Sequence, residues 1–434
     1  MTAGVLHHRL ARPVSAPDVF RLICGERTEA FWLDGGETSY IGLGEPILPR
    51  EDVLGTLRAE LAEPLWPSLG VVGWIGYEVL TETIGPVGRG RPSPYPDAAF
   101  LRVDRLVAVH RDGSAELRAA GDRWEGDLEL WRRRTVELLE TPGHSVAAPM
   151  HDPEAGPGAP LPVAWRDTDA EYLAKIADCQ RSIAAGDAYV LNLTTEVTVR
   201  GSLDAVAVYH ALRRESPSDH GALLRIGGVS LLSASPEVFL RVGVDGRVST
   251  SPVKGTRARS EHPTLDARAA AALEADPKER AENTMIVDLM RNDLTRVCRP
   301  GSVEVTRLLS VETHPQVHQL VSTVEGILRE GLGAVDAVAA TFPAGSMTGT
   351  PKLSAVAILD RLEDRARGLY AGAFGFFGTD GRAELAMTIR SIVIDGERAS
   401  IGVGGGITAL SVPAEELAET KLKAAALLRA LAAT

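Results

Sequence analysis

The chain has 434 residues, 44% hydrophobic and 24% charged, with a formal net charge of −12. That length is large for one core, so two subdomains or one large double-layered domain are expected of a soluble globular protein. No basic stripe interleaves with aromatics, which argues against nucleic acid, and no apolar run approaches the roughly 20 residues that span a bilayer, so no membrane step is expected.

Cys24, Cys179 and Cys298 are widely spaced and form no CxxC pair, so neither a zinc ribbon nor a disulfide framework is implied. A reducing, cytoplasmic compartment is expected, and the first residues lack the apolar run of a signal peptide.

In the first third, AFWLDGG (30–36) and GVVGWIGYEVL (70–80) read as strands, with glycines where backbones approach closely. No ionisable cluster there suggests chemistry, so a structural or docking role is expected. TPGHSVAAPMHDPEAGPGAPLPVAW (141–165) is rich in Pro, Gly and Ala and reads as a linker or long surface connection. This gives an N-terminal domain over 1–145, a linker over 146–165 and a larger domain over 166–434. In the last, helices are expected over 170–185, 277–294, 334–342, 351–363 and Pro413–Ala432, and a strand over Val190–Arg200. ALLRIGGVSLLSASPEVFLRVG reads as two strands around Gly-Gly, and 373–407 reads as successive strands. Strands in hairpin-like pairs, without strict βαβ alternation, favour an α+β fold with layered, largely antiparallel sheets and helices outside.

Several constellations invite chemistry. KERAEN places Glu279 and Glu282 three apart on one helix face, and EELAETKLK does the same with Glu416 and Glu419. Two such faces meeting would form a nest of four carboxylates that suits Mg²⁺; two solvated acidic faces are the plainer reading. Lys254 in SPVKGTR follows a proline and precedes a glycine at a strand-to-turn transition. With its pKa lowered by desolvation or neighbouring cations it is an amine nucleophile; otherwise it is an exposed turn lysine. Glu237 in SASPEVF is a general acid if partly buried, or a surface glutamate. GSMTGTPK (345–352) and GVGGGI (402–407) match neither a P-loop nor GxGxxG; they are tight turns or backbone cradles for a small anion. Arg390, in an apolar strand, should pair with a carboxylate of the protein or of a ligand. His318 is a base or a satisfied core histidine.

The order of these segments is more telling than any one of them. SPE, PVKGTR, KERAENTMIVDLMRNDL, VHQLVSTVEG, FPAGSMTGTPK, RGLYAGAFG, TIRS, GGGI and ExxET follow one another over 170–428. In this the chain resembles the chorismate-utilising enzymes, which include anthranilate synthase component I, aminodeoxychorismate synthase component I, isochorismate synthase and salicylate synthase. The N-terminal part resembles that family only loosely, through GVVGWIGYE.

The resemblance implies two large antiparallel sheets sandwiched between helices. It implies Mg²⁺ held by Glu282 and Glu419, with Glu279 and Glu416 reaching it directly or through water. The metal would bind the ring carboxylate of chorismate. Arg390 and Tyr370 would contact the enolpyruvyl carboxylate, helped by backbone N–H groups at Gly404, Gly405 and Gly406. Thr256 and Thr348 would complete the substrate site, Lys423 would add positive charge, and Glu237 would protonate the departing 4-hydroxyl. Lys254 resembles the aminodeoxychorismate type, where the other members typically carry Ala. It implies a covalent lysine intermediate, ammonia from a separate glutamine amidotransferase, and a product destined for 4-aminobenzoate and folate or for a secondary metabolite. Anthranilate synthase component I, or another chorismate- or isochorismate-converting synthase, is the alternative. Val190, Gln319, Glu384 and Val412 depart from the family pattern.

Overall fold

The computed structural model describes residues 4–62, 70–88, 90–141, 161–314 and 317–433. Two sheets, one of 12 strands and one of 10, hold most of the chain, and the strand pairs are antiparallel throughout. The expected α+β class with two large antiparallel sheets is what forms, and helices cover both outer faces.

The residue pattern explains the layers. Strand Val71–Ile75 is buried along its whole length because both faces are covered. Val72 and Trp74 pack between the sheets, while Val71 and Ile75 pack against the helices beyond the smaller sheet. Strand Ala30–Gly35 does the same in the larger sheet: Phe31 and Leu33 face the inter-sheet core, Ala30 and Trp32 the outer helices. Alternation therefore sorts apolar residues into two cores without leaving a polar face.

The segments before and after the proposed linker share both sheets. Ala30–Gly35 pairs with His220–Ile226, and Val71–Ile75 pairs with Ala373–Phe377. Of the linker, residues 142–160 lie outside the described residues; its end forms a short strand, Val163–Trp165, on Val190–Arg200.

Most expected elements form close to their expected bounds. Helix Asp169–Ala184 starts with a capping box between Thr168 and Glu171. Helix Pro277–Thr295 starts with Asp276 accepting from Lys278 and Glu279 N–H. Val412 stands at the N-cap of Pro413–Ala432 with no side-chain hydrogen bond, so an aspartate there would supply a cap that valine does not.

Two expectations change. GVGGGI is not a tight turn; it lies inside strand Arg398–Ile407, in keeping with the reading of 373–407 as successive strands. Arg390 is not in a strand; it sits at φ 49° between Ala383–Met387 of the smaller sheet and Ser391–Asp395 of the larger one. The chain crosses between sheets there, and crosses back at Glu237, between Val229–Ser235 and Val238–Val242. The two crossovers are tied by Ala234 N–H to Arg390 O (3.1 Å) and Met387 N–H to Glu237 O (3.0 Å).

Candidate active site

Lys254 enters from strand Val253–Ala258, which breaks register against Val317–Ile327 between Lys254 and Thr256. Gly255, at φ +80°, makes this bulge; a Cβ there would meet Leu273 and Glu279. The Lys254 ammonium is 2.8 Å from Glu282 Oε1 and 3.3 Å from Ser346 O. Burial opposes its charge, but Glu282 and then Glu237 and Glu279 outweigh burial and hold its pKa above the usual lysine value. The buried lysine is therefore present as an ammonium in this arrangement, where nucleophilic attack needs the free amine.

Glu237 is buried at the return crossover. Burial pushes its carboxyl up to about 7; the Ser346 hydrogen bond and Lys254 pull it down, and Glu282 pushes it further up. Ser346 thus touches both, through its hydroxyl and its carbonyl. It belongs to GSMTGTPK, a segment singled out for its glycines rather than for this serine. The segment is anchored by Lys352, whose ammonium reaches Asp293 (2.6 Å) and Thr341 O (2.9 Å).

The four glutamates come from the two expected helices and meet the glycine strand between them. A Cβ on Gly406 would lie 2.1 Å from Glu282 Oε1, and one on Gly405 3.5 Å from Glu416 Oε2. Lys278 holds Glu416 at 2.5 Å, Lys423 holds Glu419 at 2.9 Å, and Arg257 stands 3.8 Å from Glu279. Burial and the neighbouring Glu282 raise Glu279. Among the described residues no three acidic side chains are already gathered around one point. Each carboxylate instead has a cationic neighbour, of which sequence reasoning had named only Lys423 and Lys254.

The glycines are required by packing. The ring of Tyr370 fills the space of a Cβ on Gly402, at 2.0 Å, and Leu193 O that of Gly404, at 2.1 Å. Lys423 also donates to Gly404 O at 2.9 Å. Gly402→Ala is expected to displace the buried Tyr370 ring and destabilise the protein by about 1–3 kcal/mol, measurable by urea denaturation; an unchanged midpoint would mean that the ring moves freely.

Arg390 is half-buried, and among the described residues no carboxylate lies within salt-bridge distance of its guanidinium. Burial lowers its pKa and only Tyr370 and Glu419 favour its charge from a distance. Of the two partners expected for it, a protein carboxylate is thus not found among the described residues. Tyr370 is buried and pushed up to about 12, so it is a neutral donor. Glu78 accepts from Arg367 N–H (2.7 Å) and Gly368 N–H (3.0 Å), which fixes the loop that carries Tyr370. Arg367 is itself gripped by Glu363, Met347 O and Asn192 O.

Other sequence candidates have structural partners. The Thr348 hydroxyl donates to Ala344 O within its own turn, and Thr256 pairs with Gln319 across the bulge. His318 is a satisfied core histidine between Thr313 (3.0 Å) and Asp266 (2.9 Å). Val190 is buried in the strand pair with Thr350, and Glu384 is fixed by Arg241 and His220, which hold its carboxyl down to about 2 although burial opposes it.

The model of the chorismate binding enzyme family matches residues 17–429. The chain belongs to that family. It is 44% identical over 388 residues to an aminodeoxychorismate synthase of Streptomyces griseus, covering 88% of this chain and 53% of the relative. It is 35% identical to an anthranilate synthase component 1 of Streptomyces coelicolor over 96% of this chain and 86% of that one. The crystal structure of anthranilate synthase component I from Streptococcus pneumoniae superposes with a TM-score of 0.74 at 26% identity, covering 99% of this chain and 92% of that one. The chain thus spans about half the length of the aminodeoxychorismate synthases it matches.

Proposed function

We propose that this chain carries the aminodeoxychorismate-forming activity, converting chorismate and ammonia to 4-amino-4-deoxychorismate. The observation that carries this reading is Lys254, a buried amine set beside the near-neutral carboxyl of Glu237 and bridged to it by Ser346. Lys254 parts from Glu282, loses its proton and attacks C2 of chorismate. The two ring double bonds shift, the C4–O bond breaks, and Glu237 gives its proton to the departing hydroxyl, which leaves as water. Ammonia then bonds to C4, the double bonds shift back, and the C2–N bond to Lys254 breaks. The lysine divides one hard displacement into two steps. Arg390 and Tyr370 hold the enolpyruvyl carboxylate in register.

The donor set of Glu279, Glu282, Glu416 and Glu419 is all carboxylate oxygen, which fits Mg²⁺. Bound there, Mg²⁺ would neutralise the ring carboxylate of the substrate. Glu282 drawn to such an ion would be free of Lys254. Ammonia comes from a glutamine amidotransferase partner on this reading. Cys24 and Cys179, both buried and pushed up to about 12 by burial, and the buried Cys298 do not suit a glutaminase nucleophile. Three free, buried thiols fit a cytoplasmic setting, and among the described residues no helix is long and apolar enough to cross a membrane.

The near full-length match to anthranilate synthase component 1 supports a second reading, anthranilate formation. Mass spectrometry of products from purified protein, chorismate, Mg²⁺ and ammonium separates the two. The expected product has an amine in place of the hydroxyl and an intact enolpyruvyl group; anthranilate would overturn the first reading.

A further inference from the structure

Beside Tyr370 lies a cavity of about 190 Å³ whose lining includes none of Lys254, Glu237, Arg390 or the four glutamates. Ser400 and Gly402 border it. In strand Arg398–Ile407 these share one face with Gly404 and Gly406, because alternate residues point the same way. The cavity at Gly402 and Glu282 at Gly406 therefore lie along one strand face, about 13 Å apart at roughly 3.3 Å per residue, while Glu416 meets the other face at Gly405. Tyr370, whose ring closes over Gly402, lines the cavity.

The cavity has an apolar body and a cationic side. Tyr95, Leu369 and Val393 supply the first; Arg166 and Arg365 stand on the second. Two other arginines at the cavity are already neutralised: Arg367, on the lining, by Glu363 at 2.7 Å, and Arg398 by the lining Glu196 at 2.8 Å. Arg166 and Arg365 have no carboxylate within salt-bridge distance among the described residues. Arg166 donates to Asp364 O, and Arg365 to Ala366 O, Thr194 Oγ1 and Thr195 O, with its buried Nε unpaired. On the same lining, Thr388 is 0% exposed and its hydroxyl has no hydrogen-bond partner. A buried hydroxyl without a partner is destabilising, and a complementary ligand group relieves it.

We propose that this cavity is a second ligand site, distinct from the reaction cleft, for a small aromatic monocarboxylate. The carboxylate answers Arg166 and Arg365, the ring lies against Tyr95, Leu369 and Val393, and a polar edge meets Thr388. A bidentate guanidinium–carboxylate contact beside an apolar wall is the chemistry that selects this class.

Benzoate titrated calorimetrically into the purified chain tests this. Saturable binding is expected, weakened about tenfold by Arg166→Gln or Arg365→Gln, the usual cost of a charge-assisted hydrogen bond, and more modestly by the near-isosteric Thr388→Val. Arg390→Gln, which alters the reaction cleft, should leave benzoate affinity unchanged. Arg365 also ties its own loop, so Arg166→Gln and Thr388→Val carry the test if that variant fails to fold. Absence of saturable binding overturns the proposal. So does binding that is lost in Arg390→Gln and intact in Arg166→Gln and Thr388→Val, because the ligand would then sit in the cleft.

Discussion

Lys254→Ala is expected to reduce aminodeoxychorismate formation by at least about a thousandfold, as removal of a covalent nucleophile does in other enzymes. The place of this lysine matters more than its residue type. Lys254 is 2.8 Å from Glu282 and only 12% exposed, so no solvent amine replaces it at the same point. The substitution has a second consequence. Glu282, 7% exposed, loses the cation that answers its charge. Breaking one side of a buried pair costs about 3–5 kcal/mol, so the metal-free alanine variant should also melt at lower temperature. Lys254→Arg separates the two effects. It keeps a cation beside Glu282 but supplies no nucleophilic amine, since a guanidinium stays protonated. Stability should largely return while activity stays lost, and no lysine adduct should be seen by intact-mass analysis of either variant during turnover. Product formation at the wild-type rate in either variant would remove the covalent step.

How far the site was legible depended on whether a feature is local. Helix Pro277–Thr295 and strand Val190–Arg200 carry their own periodicity and caps, and the sequence pattern places them to within a residue. Glu279 with Glu282, and Glu416 with Glu419, follow from the helical repeat. That the two pairs face each other across Gly405 and Gly406 does not, because strand order is set by contacts hundreds of residues apart. Glu78 shows this plainly. It lies in a segment that suggested no chemistry, yet it caps Arg367 N–H 289 residues away and fixes the loop bearing Tyr370. Its carboxyl is pushed up to about 7 by burial, a state no local pattern displays. Arg390 fails in the opposite way. Its apolar neighbours look like one strand, but they belong to two sheets, and the arginine occupies the crossing. In the sequence the glycine run reads as a tight turn or a cradle for a small anion. Its actual constraint is what already fills the Cβ positions, Tyr370 and Glu282, and neither is near it in sequence. Lys278 sits inside a motif that drew attention for its glutamates, and its link to Glu416 spans 138 residues.

Glu237→Gln is expected to make the protein more stable and nearly inactive. Glu237 is 6% exposed, and burial raises its carboxyl from the ordinary 4.5 to about 7. A carboxyl with a raised pKa binds its proton more tightly in the folded state. Its stabilising contribution is therefore present in full below about pH 4.5 and is lost as pH rises through about 7. At about 1.4 kcal/mol per pKa unit, ionising this buried group costs about 3 kcal/mol by pH 8. Glutamine keeps the shape and never ionises, so the variant should exceed the wild type by about that amount at pH 8 and match it near pH 4.5. Urea denaturation at the two pH values reads this difference; equal stability at both would mean that Glu237 titrates as an ordinary surface carboxyl. Activity should move the other way. Glutamine cannot protonate the departing hydroxyl, so turnover should fall by about 10²- to 10⁴-fold. In the wild type, kcat/KM should decline on the alkaline side with an apparent pKa near 7, and this limb should vanish in the variant. The same burial that makes Glu237 costly to ionise keeps its proton available at neutral pH, so one displaced pKa accounts for both the lost stability and the acid chemistry.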